Sequence, residues 1–112
     1  MLLAGTGAGQ QVQLDGGGVV AVAEEVAGAV FAAVRPESVS LYLERPVGSP
    51  RNVWPLRVAG AVPHGTTVRC ELEGVVPLVA DVTATAFAEL GLAPGGDVWA
   101  SVKASEVAVY AR

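Results

Sequence analysis

Between Gln11 and Asp15 polar and apolar residues alternate, Gly16–Gly18 interrupt them, and a second alternating run follows over Val19–Glu25. A period of two on both sides of a glycine bend predicts a β-hairpin. VFAAVRP (30–36) continues the strand character, with Pro36 confined to an edge or a bend because it donates no ladder hydrogen bond. SVSLYLE (38–44) then sets Val39, Leu41 and Leu43 against Ser38, Ser40 and Tyr42. RPVGSPR (45–51), with two prolines and a glycine, is a boundary. Beyond it NVWPLRVAGAV (52–62) predicts a long strand bent at Pro55, PHGT (63–66) a turn, TVRCELEG (67–74) a strand out and VVPLVADVT (75–83) a strand back. TATAFAELGLAPGG (83–96) is the helical candidate, opened by Thr83 or Thr85 and closed by Gly91 with Pro94 beyond. VWASVKASEVAVYAR (98–112) supplies two last strands kinked around Lys103–Ser105.

The two ends of this pattern are nearly the same phrase. Val30, Phe31, Ala32, Val34 and Arg35 fall on Val98, Trp99, Ala100, Val102 and Lys103, and Val39, Leu41 and Tyr42 fall on Val107, Val109 and Tyr110. LDGGGVVAVAEE likewise answers LEGVVPLVADV. The second half, five strands with a short helix between the third and fourth, has the order of an OB-like barrel. The first half repeats the plan without the helix and with its first strand short or missing. The expected fold is therefore all-β: tandem OB-like small β-barrels, one trimmed (1–46) and one complete (47–112), with one short helix. Neither copy alone buries a good core, and packing them together supplies one.

Composition narrows the chemistry. At 112 residues, 52% apolar and 16% charged, the chain is an ordered domain and not a disordered one. Much of the apolar share is Ala and Val, which bury little area each, so a partner surface is expected. A net charge of −4 and a single lysine argue against a nucleic-acid groove. Cys70, the lone cysteine, reads as a buried strand residue, and His64 sits in a turn, so no metal site is expected. No apolar stretch approaches the roughly 18 residues of a membrane span, which makes the cytoplasm the expected location.

GTGAGQ (5–10) has neither the preceding strand nor the following helix of a dinucleotide fingerprint and reads as a flexible entry loop. The only lysine, in SVKAS, has no glycine-rich loop before it, and one turn histidine makes no nucleophilic triad; no enzymatic activity is expected. Asp15, Asp81 and Asp97 fall in or beside turns. What remains is hydroxyl, amide and basic groups at strand ends: Ser49, Arg51 and Asn52; Asp81 and Thr83; Lys103 and Ser105. A tetrahedral oxyanion needs such donors. The plainer reading of the same residues is strand-end capping and turns.

SPRN (49–52), LVADVT (78–83) and ELGLAPGGDVWASVKASEVAV (89–109), with the helix between them, resemble the molbindin (MOP-like) or TOBE domain. The resemblance implies an OB-like barrel that pairs into dimers and binds molybdate, tungstate or sulfate, with no cofactor. The first half resembles the region before that unit in molybdate- and sulfate-type ABC-importer ATPases. It implies the C-terminal regulatory or dimerisation domain of such an ATP-binding subunit. A free-standing cytosolic molybdate-binding protein and a purely structural dimerisation domain are the alternatives. Leu2–Leu3 reads as a cut in mid-strand and predicts a fragment. Carried over residue by residue, the resemblance implies an oxyanion held by Ser49, Arg51, Asn52, Thr83, Lys103 and Ser105 across a homodimer interface. Pro50 stands where the family has Ala, and Ala86 where its helix entry has Ser.

Overall fold

The structure, a computed structural model, describes residues 1–48 and 52–112. Its strands are β1 (Leu2–Leu14), β2 (Val19–Ala33), β3 (Ser40–Tyr42), β4 (Asn52–His64), β5 (Thr67–Gly74), β6 (Leu78–Thr83), β7 (Asp97–Val102) and β8 (Ala108–Ala111). Helix α1 (Ala84–Leu90) follows β6, and 3-10 turns at Pro36–Ser38 and Ala104–Glu106 precede β3 and β8. The strands form two antiparallel sheets, in the orders β1-β2-β8 and β3-β7-β4-β5-β6. This is the all-β, tandem OB-like architecture with one short helix that the pattern predicts.

The duplicated phrase folds the same way twice, as strand, 3-10 turn, strand. The second strand of each copy pairs with the other copy. Ser40, Leu41 and Tyr42 of β3 lie opposite Ser101, Ala100 and Trp99 of β7. Ala108, Val109 and Tyr110 of β8 lie opposite Ala33, Ala32 and Phe31 of β2. These two ladders correspond rung for rung, so the halves exchange strands about a pseudo-two-fold axis. A shared core results. Val12, Leu14, Val20, Val22, Val30, Ala32 and Val34 belong to the same buried cluster as Trp54, Leu56, Val58, Leu72, Leu78, Val98, Ala100 and Val102. Along the first half of β4 the buried residues Asn52, Trp54, Leu56 and Val58 alternate with more exposed ones, the period that puts one face against a partner layer, whereas Ala100–Val102 of β7 are buried in succession.

Two expectations are corrected at the start of the chain. The first strand is not short or missing but runs from Leu2 to Leu14, and GTGAGQ is part of it, not a flexible loop. Gly5 and Gly7 are buried, and Thr6 and Ala8 exposed, so the alternation is present but carried by residues without side chains. Gly7 is needed because a methyl group there would lie 2.7 Å from the Val26 side chain of β2, and Gly5 because the strand doubles back on itself. The Asp15 N–H donates to the Ala4 carbonyl at 3.0 Å, and a methyl group on Gly5 would lie 2.5 Å from the Gln13 carbonyl oxygen. The helix ends are as expected. The Thr83 hydroxyl accepts from the Ala86 N–H at 3.0 Å, and Gly91, at φ +63°, closes the C-terminus. Among the described residues no helix is long and apolar enough to cross a membrane.

Candidate functional site

Strand exchange brings the two 3-10 turns face to face. Arg35 leads into one and Lys103 into the other, so the duplicated basic positions flank the pseudo-two-fold axis. The Ser38 hydroxyl donates to the Glu106 carboxylate at 3.2 Å, and the Arg35 guanidinium lies 3.5 Å from the same carboxylate and 3.7 Å from Glu37. Beside this clasp is a cavity of about 340 Å³ whose walls include Arg35, Lys103, Glu37 and Glu106 and the hydroxyls of Ser38, Ser40, Tyr42 and Ser101. Ser101 is buried, with its hydroxyl 3.5 Å from that of Tyr42.

The charges are unequally committed. Arg35 is countered by two carboxylates, whereas Lys103 makes no ion pair among the described residues. With side-chain exposures of 69% for Arg35 and 43% for Glu106, their pair is solvent-screened and readily rearranged. Lys103, which lines the same cavity as Ser38, Ser40, Tyr42 and Ser101, is the group best able to attract a small anion. Arg35, Ser38, Ser40, Tyr42, Ser101 and Glu106 were absent from the set expected by resemblance. The signal for them was the repeat itself, in which Arg35 occupies the position of Lys103.

The residues expected at an oxyanion site are distributed. Asn52 is buried and engaged elsewhere: its Oδ1 accepts from the Ala21 N–H at 2.7 Å and its Nδ2 donates to the Ala21 carbonyl at 2.9 Å. Its backbone lies opposite Val102, the residue before Lys103. Thr83 caps α1. Ser105 is exposed and lines a different depression, with Val22, Ala23 and Glu24. Ser49 and Arg51 lie outside the described residues. Cys70 is buried, and loss of hydration pushes its thiol pKa up, which keeps it protonated and inert. Among the described residues no three His, Cys, Asp or Glu side chains are grouped to hold a metal ion. Another depression, of about 710 Å³, is a trough elsewhere, over the outer face of β4 and β7.

Residues 48–109, more than half of the chain, match the family model of the TOBE domain. The chain belongs to the TOBE domain family. It is 44% identical over 79 residues to the molybdenum import ATP-binding protein ModC of Mycobacterium tuberculosis, covering 67% of this chain and 21% of ModC. It is 38% identical over 87 residues to the molybdate/tungstate import ATP-binding protein WtpC of Pyrococcus horikoshii, covering 77% of this chain and 25% of WtpC. The chain thus spans a quarter or less of the length of these relatives. A crystal structure of the cytoplasmic molybdate-binding protein ModG, with molybdate bound, superposes with a TM-score of 0.87 at 25% identity. That match covers 100% of this TOBE chain and 96% of ModG.

Proposed function

We propose that this chain is a tandem TOBE module that binds molybdate or a closely related oxyanion. It acts as the cytoplasmic regulatory and dimerisation domain of an ABC importer's ATP-binding subunit. The observation that carries the ligand is the end-to-end correspondence with molybdate-bound ModG. What favours the importer is the higher identity to ModC, 44% against 25% for ModG. In this reading the domain is a binding module without catalysis of its own. Lys103 supplies the fixed charge, and neighbouring hydroxyl and backbone N–H groups complete the shell. Regulation follows if the resting transporter binds the anion more tightly than the active one.

A second reading, a free-standing molybdate store, is favoured by the 96% coverage of ModG. An ATP-binding domain encoded upstream in the same reading frame decides for the importer, and its absence for the store. The ligand itself is tested by calorimetric titration with molybdate in phosphate-free buffer, with sulfate as control. Micromolar binding that Lys103→Ala weakens about tenfold, the size expected for one charge-assisted bond, supports the proposal. No heat and no thermal shift with millimolar molybdate would leave a purely structural module.

A further inference from the structure

The pseudo-two-fold makes one surface of the first half directly comparable with its mate in the second, and the two are finished differently. In the first half β8 runs on past its last rung. Ala111 lies opposite Val30, the Arg112 N–H donates to the Ala29 carbonyl at 3.1 Å, and the Arg112 guanidinium reaches the Asp15 carboxylate at 2.6 Å. To do so it crosses the rung formed by Ala29 and Thr6, both small. In the second half the mate of β8 is β3, which stops at Tyr42 opposite Trp99. Among the described residues no backbone donor continues the ladder to Val98 and Asp97, the mates of Val30 and Ala29.

Charge explains the difference. Glu44 stands in sequence where Arg112 stands, and its rung partner would be Asp97 where the first half has Ala29. Like charges directly opposite destabilise a ladder, so β3 ends early. The surface left open is the trough of about 710 Å³ bounded by Leu43, Trp99, Asp97, Arg57 and Glu73. Glu73 takes the position of Asp15, and Arg57 is the register partner of both Glu73 and Asp97, so the rung carries two carboxylates and one guanidinium. The surface also accepts a guanidinium: that of Arg45 lies 5.2 Å from the centre of the Trp99 ring.

We propose that this trough is a docking slot for an extended, arginine-bearing segment of a partner polypeptide. The segment continues the β3 position along β7 past Val98 and Asp97, with its arginine directed at Asp97 and Glu73. The partner supplies there what Ala111 and Arg112 supply in the first half, a mode of recognition in which main-chain pairing gives affinity and side-chain contacts give selectivity.

The test follows the fluorescence of Trp99, the more exposed of the two tryptophans, during titration with a blocked tetrapeptide beginning Ala-Arg. The same peptide with Glu in place of Arg is the control. Saturable binding at millimolar concentration or tighter is expected. It should weaken at least about fivefold with the Glu peptide, in ~0.5 M salt, and in the Glu73→Gln, Asp97→Asn double variant. Equal binding of both peptides, or no saturation by wild type, overturns the proposal without recourse to any variant. A wild-type dimer in sedimentation that the double variant loses would make the occupant a second copy and overturn it equally.

Discussion

Asn52 shows how one side chain joins the halves. Its amide presents an acceptor and a donor to the backbone of Ala21, as a neighbouring strand would. The mate of that contact is Met1, whose sulfur takes only the Val79 N–H, at 2.9 Å. Asn52→Ala leaves a donor and an acceptor of Ala21 without partners in a part-buried place, so a loss of about 1–3 kcal/mol in urea unfolding is expected. A change within error would mean that water reaches Ala21 freely. Asp81 makes a second prediction. Two hydrogen bonds from Arg69, at 2.8 and 2.9 Å, and the attraction of its charge hold the Asp81 carboxyl below the usual range against the opposing effect of burial. Since the folded pKa is depressed, the stabilisation is complete above the unfolded value near ~4 and is lost as pH falls through the folded value. Between pH 6 and about 2, wild type should lose more of its urea midpoint than Asp81→Asn does. Parallel curves would show that the pair contributes nothing.

Among the elements, α1 was the most legible. The Thr83 cap, the Gly91 stop and the absence of proline between them were readable, and each has its expected geometry. Thr83→Ala should cost about 1 kcal/mol by thermal or chemical unfolding, and Thr85→Ala only a few tenths, because Thr83 alone makes the capping bond. Equal losses would assign the cap wrongly. The hairpins of β1–β2, β4–β5 and β5–β6 were equally legible, since glycine turns separate runs of clear alternation. The β1 segment Gly5–Gly9 was not, because alternation is read from side chains and here buried glycines carry it. The candidate site was half legible. Lys103 stood out as the sole lysine, but Asn52 looked like a ligand residue and is a staple between halves. Its partner Ala21 offers only main-chain atoms, which leave no mark in a sequence.

For the whole molecule, the repeat revealed that two units exist but not that they trade strands. Identical phrases specify identical strand–turn–strand elements, and either copy's second strand has a pattern suited to either sheet. The choice is made by packing: β3 completes the five-stranded sheet beside β7, and β8 completes the three-stranded one beside β2. This arrangement predicts that the second half, although it matches the TOBE model nearly alone, is not an independent folding unit. A chain of residues 52–112 keeps β4 to β7 but leaves β8 without β2 and the outer edge of β7 without β3. Val98, Ala100 and Val102 also lose the buried valines of the first half from their shared core. The expected outcome is a weakly structured monomer, or a dimer in which each copy's β8 takes the vacant place beside the other's β7, as β3 does in the intact chain. Adding residues 1–48 as a separate peptide should restore a sharp amide spectrum and cooperative melting, because the exchanged ladders then re-form between chains. A stable, well-dispersed monomer from residues 52–112 alone would mean that β8 folds back on its own unit, and that the exchange is a consequence of tethering rather than a requirement of the core.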